Sequence, residues 1–192
     1  TDNGVAIVGN TIPAGFNTAN NRELPADGTP DGFLAPFWTD FDLLDSATTG
    51  DTGGGSVLYH SVVEGDKEYL VVQWNKVKLW VSEDDGVTAD TWGVSSADIE
   101  FSFQLVIEKG SSNIWFNYLA IPEQPNFYTV GMESTDSADG YTRWFNGVGV
   151  MSAMTGENVR IEFSTAPTLT TQFTVERSDV EAPFTINDNV NV

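Results

Sequence analysis

The chain has 192 residues, enough for one domain with a sizeable core, and its 28 acidic against 8 basic residues give a formal net charge of −20. A surface this acidic repels phosphate backbones and anionic lipids, which argues against nucleic-acid and membrane-surface partners. No apolar run is long enough for a membrane-spanning helix, and there is no cysteine for disulfides or thiolate metal sites.

The predicted elements are β-strands almost throughout the chain. Apolar and polar residues alternate with a period of two over residues 72–79 and 99–108, and a turn at 109–112 joins the latter strand to a hairpin partner. In the first of these strands the alternation puts Trp74 on one face and Val77 and Leu79 on the other. Strands are predicted, in chain order, at residues 4–8, 56–63, 68–81, 99–108, 113–121, 127–133, 141–145, 159–164 and 172–176.

The same patterns define the fold class and the domain organisation. No window shows a convincing helical period, and Gly-, Asp- and Ser-rich loops separate the strands, so the sequence predicts an all-β antiparallel β-sandwich with long acidic loops. Residues 1–177 are predicted to form this domain. Residues 178–192 contain few large apolar side chains and are predicted to be a linker to a neighbouring domain, so we expect the chain to be a piece of a larger multidomain protein.

Two kinds of catalytic site are considered for this chain, a Ser-His-Asp triad and a pair of carboxylates. The chain has one histidine, His60, inside a predicted strand, and it lacks a G-x-S-x-G elbow, so we reject a Ser-His-Asp triad and interpret His60 as a surface residue. Asp40 and Asp42 would lie about 7 Å apart in an extended chain, a separation typical of inverting glycosidases. This spacing is common in acidic proteins, so no catalytic residue is assigned.

A calcium site is the functional alternative for the same aspartates. Residues 34–46, LAPFWTDFDLLDS, interleave apolar residues with carboxylates, and calcium takes six to eight oxygen ligands from such loops. Two further acidic loops, residues 83–86 and 136–140, are comparable candidates, while solvated charge is the simpler interpretation of all three. The candidate calcium ligands are Asp40, Asp42, Asp45 and Asp51.

The six tryptophans suggest a carbohydrate-binding interpretation, because sugar-binding modules stack pyranose rings on exposed aromatic side chains. The candidates near strand ends or loops, where a ring can be exposed, are Trp80, Trp92 and Trp144. The tryptophans in apolar alternation, which we predict to be in the core, are Trp38, Trp74 and Trp115.

Five segments of the chain follow one another in the order LAPFWTDFDL, GGGSVLYH, LVVQWNKV, FSFQLVIEKGSSNIWFNYLAI and YTVGMES. Taken together, they resemble a nidogen-like (NIDO) domain, a module of secreted and surface proteins that is also attached to bacterial subtilisin-like peptidases and adhesins. The resemblance spans residues 4–148, although the acidic stretch at 82–97 is longer than the family's hairpin.

The resemblance implies a secreted or cell-surface β-sandwich without catalytic residues of its own. We therefore expect a non-catalytic binding or adhesion module, whose partners are an extracellular glycan or protein and the neighbouring domains of the same chain. The alternatives are a calcium-dependent carbohydrate-binding module and an accessory domain of a secreted subtilisin-like peptidase. In this setting residues 36–38 anchor a strand against the core, and Asp40 and Asp42 either cap turns or hold a cation.

Overall fold

A computed structural model describes residues 1–9, 13–14, 16–27, 30–44, 51–82, 84–149 and 159–163, with the backbone alone at 51–52, 159–160 and 162–163. These residues form β-strands and one short helix, α1 (Ala89–Trp92). The strands, in chain order, are β1 (Ala6–Ile7), β2 (Phe33–Trp38), β3 (Phe41–Asp42), β4 (Asp51–Thr52), β5 (Ser56–Glu64), β6 (Lys67–Leu79), β7 (Val81–Ser82), β8 (Phe101–Glu108), β9 (Ile114–Ala120), β10 (Thr129–Glu133), β11 (Gly140–Phe145), β12 (Val148–Gly149) and β13 (Val159–Phe163).

The strands form two main antiparallel sheets. In the first sheet the order is β1, β2, β10, β11 and β12. In the second it is β13, β9, β8, β6 and β3, and β5 also pairs with β6, while β4 and β7 form a separate small pair. The predicted all-β, antiparallel, sandwich-like fold is therefore confirmed. The predicted strand at 172–176 and the domain boundary at 177 lie outside the described residues.

Aromatic side chains from both sheets form the core. Phe37 of β2 is fully buried and lies 5.6 Å from Phe103 of β8 and 4.5 Å from Tyr128, measured between ring centroids. The hydroxyl of buried Tyr118, on β9, donates a hydrogen bond of 2.6 Å to the carbonyl of Pro36 on β2. Pro36 and Phe37 thus anchor β2 against the opposite sheet. Trp38, predicted to be in the core, is buried but lies in a separate cluster with Val5 and Phe33.

A β-bulge in β6 changes which of its residues face the core. The pairing of β6 with β8 shifts between Trp74 and Val77, and Lys76 adopts a positive φ of 55°. Gly55 packs against this bend, where a β-carbon would overlap the Lys76 carbonyl. The extra residue brings Trp74, Val77 and Leu79 into one core, so the prediction that Trp74 lies on the opposite face is wrong.

The outer face of the second sheet carries its own small cluster. Val71 and Val106 are buried there, with Trp115 packed partly buried against them, so Trp115 lies in this cluster and not in the main core as predicted. Beside it, the Gln104 side-chain amide donates to the Gln73 side-chain carbonyl at 2.8 Å and accepts from Asn117 at 3.2 Å. This chain of amides satisfies polar groups on three adjacent strands.

The acidic segment between β7 and β8 is compact. Ser82 and Val87 exchange two backbone hydrogen bonds, and helix α1 then makes one turn that ends at Gly93 with φ of 71°. This turn directs Trp92 back toward the sandwich.

Within the described residues no helix has the length and apolar character needed to cross a membrane.

Candidate functional site

The turn between β2 and β3 holds the first two aspartates of the candidate calcium set. Asn3 fixes this turn, because its carbonyl accepts from the Thr39 N–H at 3.2 Å and its side-chain oxygen accepts from the Phe41 N–H at 2.8 Å. The carbonyl of Asp40 accepts a further hydrogen bond from the Trp80 N–H at 2.9 Å. The backbone around Asp40 is therefore tied on both sides.

Asp40 has an unfavourable electrostatic environment for a carboxylate. Its side chain is half-buried, and burial, followed by the nearby charges of Asp2 and Asp42, raises its pKa to about 6. The side chain therefore favours protonation or a compensating cation more strongly than an exposed aspartate does.

Asp42 accepts two hydrogen bonds that stabilise the turn after β3. Its side-chain oxygen accepts a hydrogen bond from the Leu44 N–H at 2.8 Å, and its carbonyl accepts one from the Gly54 N–H at 2.9 Å. These bonds close the turn after β3 and tie it to the start of β5. Asp42 therefore caps this turn through one of its two carboxylate oxygens.

The other members of the candidate set are less fully placed. Asp45 lies outside the described residues, and Asp51 is described through its backbone, which pairs with Ser82 between β4 and β7. Within the described part of the chain, no group of three histidine, cysteine or acidic residues is placed to hold a metal ion.

Carboxylates in the two other acidic loops have hydrogen-bond partners within their own loops. Asp85 accepts from the Ser82 hydroxyl at 3.3 Å. Asp136 accepts from the Ser134 hydroxyl at 2.6 Å and from the Ala138 N–H at 3.2 Å, and the Ser134 hydrogen bond is the main cause of its lowered pKa. Glu83 lies outside the described residues.

Trp92 is buried, contrary to the exposed ring expected of it. Only 8% of the residue is exposed, its indole N–H donates to the Trp80 carbonyl at 2.8 Å, and its ring meets Phe127 edge-on at 6.3 Å. The turn of helix α1 brings this loop tryptophan into the core, which the sequence pattern did not indicate.

Trp80 and Trp144 are both half-buried. Trp144 stacks on Tyr128 at 5.6 Å, and its buried indole N–H has no hydrogen-bond partner among the described residues. Trp80 and Trp144 belong to different parts of the fold, since one follows β6 in the second sheet and the other lies in β11 of the first.

The hairpin of β5 and β6 carries exposed apolar residues that the alternation pattern does not predict. Tyr59 is 52%, Val63 71% and Leu70 40% exposed, and we call these three residues the hairpin strip. Tyr59 pairs with Val72, which packs against the core, and cross-strand partners share a face, so the strip continues the inner face of the sheet into solvent. The sequence contains one sign of this exposed surface, because residues 57–63 have apolar side chains on both faces of the strand.

His60 lies at the midpoint of β5, exposed and paired with Val71 of β6. The prediction that it is a surface residue on a strand is confirmed. Its neighbours Leu58 and Val62, on the same face, pack against the small outer cluster.

Comparisons with protein-family models, curated proteins and solved structures find no match to this chain.

Proposed function

We propose that this domain is a non-catalytic binding module whose contact surface is the hairpin strip and the adjoining edge of β5. The observation that carries the proposal is the exposure of Tyr59, Val63 and Leu70 on one face of one hairpin. Adjacent exposed apolar residues of this size are typical of interaction sites, since they cost solubility unless a partner covers them.

The position of the strip suits a binding role. Its face is continuous with the packed inner face of the second sheet, so the rigid sandwich holds it in place. At the turn end of the hairpin, Lys67 pairs with Glu108 at 2.9 Å and Glu68 with Lys109 at 2.6 Å, which tie the hairpin to β8. A preformed surface of this kind loses little conformational entropy on binding.

The biological setting is part of the same proposal. The resemblance to nidogen-like domains favours a secreted or cell-surface protein in which the domain serves adhesion, with an extracellular glycan or protein as ligand and neighbouring domains beside it. An accessory role beside a secreted subtilisin-like peptidase would use the same surface to attach the enzyme to its target.

A calcium-dependent carbohydrate-binding module is the second candidate, and the environment of Asp40 favours it. A half-buried carboxylate beside Asp2 and Asp42 would be stabilised by a bound cation, which would remove the repulsion that raises its pKa. The half-buried Trp80, whose backbone N–H donates to the Asp40 carbonyl, would then be the aromatic contact for a sugar at this site.

One comparison separates these candidates. The wild-type protein and a triple variant, Tyr59→Ser with Val63→Thr and Leu70→Thr, are tested against a displayed random peptide library and a glycan array, each with and without EDTA. A matched control, Val148→Thr, removes an apolar side chain that is 75% exposed on β12, away from the hairpin.

We expect the wild type and the control to select the same ligands and the triple variant to lose them, with no effect of EDTA. Binding that the triple variant retains in full would refute the role of the strip. Sugar binding that EDTA abolishes and the triple variant keeps would favour the calcium-dependent alternative.

A further inference from the structure

Among the strands that the structure describes, none pairs with the outer edge of β5. Its nine residues pair with β6 in an uninterrupted register, from Ser56 opposite Asn75 to Glu64 opposite Lys67. Among the described residues, no other strand pairs with β5. At about 3.3 Å per residue, this leaves roughly 30 Å of backbone edge with unpaired N–H and C=O groups.

The other sheet edges in the described part of the chain are short or carry charged residues in their sequence. Strands β1, β3 and β12 have two residues each, and the five residues of β13 include an arginine and a glutamate. Residues 56–63 of β5 contain no charged residue, no proline and no glycine. The edge of β5 therefore lacks the features that normally prevent a strand from pairing with another chain.

A strand that joins this edge must be apolar on both of its faces. On one face of β5 it meets Val57, Tyr59 and Val63, and on the other it meets Leu58 and Val62. Such a strand must also be free of acidic residues next to these positions, because the rest of the protein is strongly negative. The sequence SVLYHSVV of β5 itself meets both conditions.

We propose that β5 of one molecule pairs antiparallel with β5 of a second copy, across a two-fold axis at His60. This inference rests on the proposed function and names the partner of the same surface. Residue 60 is the midpoint of residues 56–64, so this is the two-fold register that pairs all nine residues. The cross-strand pairs that it makes are Val57 with Val63, Leu58 with Val62 and Tyr59 with Ser61.

The chemistry of these pairs favours association. Val57 with Val63 and Leu58 with Val62 are apolar pairs, one on each face of the joined sheet, and such pairs stabilise neighbouring strands. The exposed ring of Tyr59 packs beside the axis on the face that carries the hairpin strip. Joining the two copies also satisfies the free backbone groups of both edges.

Net charge sets the strength and the salt dependence of the pairing. Each copy has a formal charge of −20, so long-range repulsion opposes association, while the contact itself has no charge before Glu64. Added salt screens the repulsion and leaves the backbone pairing intact. One strand pair is smaller than a standard interface of roughly 800 Å² per partner, so the dimer is weak and forms at high protein concentration.

The two-fold axis provides a specific test, because one substitution at residue 60 places two identical side chains opposite each other. The variants His60→Glu and His60→Lys each put like charges together at the axis, whereas an equimolar mixture of the two places opposite charges there. Val148→Glu, an added charge at an exposed position on β12, is the control for the change in net charge. Far-UV circular dichroism and thermal unfolding confirm that each variant is folded.

Sedimentation equilibrium measures the association. We expect the wild type and Val148→Glu to dimerise, more tightly at high than at low sodium chloride. Each residue-60 variant alone should dimerise about two- to fivefold more weakly than the wild type, and the mixture should recover a one-to-one dimer.

A wild type that stays monomeric at every concentration overturns the proposal, as does dimerisation that both single variants retain or that salt weakens. These results are distinguishable from failure of the proposed function. If the wild type is monomeric but the hairpin-strip substitutions still abolish peptide binding, only self-pairing is refuted, because the strip then binds a different polypeptide.

Discussion

Replacing Asp40 by asparagine is expected to stabilise the protein at neutral pH. The pKa of this carboxyl group rises from its ordinary value of 3.8 to about 6 in the folded state, because of burial and the neighbouring Asp2 and Asp42. The folded protein therefore holds the proton more tightly than the unfolded chain does. Stability from this group is fully present below about pH 3.8 and is lost as the pH rises through 6.

The magnitude follows from the size of this rise. Each pKa unit corresponds to about 1.4 kcal/mol, so ionising Asp40 in the folded state costs at most about 3 kcal/mol at neutral pH. Because the side chain is partly exposed, water screens the repulsion, and we expect about 1–2 kcal/mol. Asparagine has no charge to ionise, so Asp40→Asn should gain this amount, which corresponds to roughly 2–8 °C in Tm for a chain of this size.

Thermal unfolding in EDTA, followed by circular dichroism at about pH 7.5 and about pH 4, measures the effect. The gain should be present at the higher pH and nearly absent at the lower one. Asp84→Asn, the same change at an exposed position, is the control and should change stability by less than about 0.5 kcal/mol at either pH. Destabilisation by Asp40→Asn that is equal at both pH values would refute the reasoning, because it would mean that the carboxylate makes a favourable contact.

Three further predictions concern the hydrogen bond of Tyr118 between the sheets, the close contact of Gly4 with β2, and calcium binding at Asp40. Tyr118→Phe should lower stability by about 1–3 kcal/mol in urea unfolding, because the buried Pro36 carbonyl loses its hydrogen bond; an unchanged midpoint would contradict this link between the sheets. Gly4→Ala should lower the free energy of unfolding by at least about 2 kcal/mol more than Gly65→Ala does. Both glycines have a positive φ, but only at residue 4 would a β-carbon overlap a backbone oxygen of β2. Equal losses would show that the backbone shifts to make room for the β-carbon. If calcium binds at Asp40, an excess of ten times its dissociation constant should add about 1.4 kcal/mol in calorimetry, and a flat Tm at millimolar calcium would refute that site.

The strands with regular alternation were predictable from the sequence. In β8 the alternation predicted over residues 99–108 is confirmed, since its apolar residues Phe101, Phe103 and Leu105 are all buried in the main core, and the turn at 109–112 joins β8 to β9 as expected. A period of two is sufficient here because each strand stays in register over most of its length. The fold class follows from such segments, since they require two apolar faces to meet.

The departures come from features that alternation does not encode. One extra residue at the bulge of β6 reverses the faces after Trp74. Its trace in the sequence is that the apolar positions change phase between Trp74 and Val77, which strict alternation assigns to two different faces. Trp92 is buried because one helical turn and a hydrogen bond to a carbonyl bring it inward. Exposure of Tyr59 and Leu70 depends on how far the facing sheet extends over the hairpin, which is a property of both sheets together.

Amide hydrogen exchange along β5, followed by NMR at increasing protein concentration, tests the central claim that this edge is free in the monomer and pairs with a second copy. Alternate N–H groups of an edge strand point toward its partner strand and toward solvent, so at low concentration one alternate set in residues 56–64 should be protected by β6 and the other should exchange freely. The free set should gain protection as the concentration rises. Equal protection of both sets in the dilute protein would contradict the account, and so would a free set that stays unprotected at every concentration.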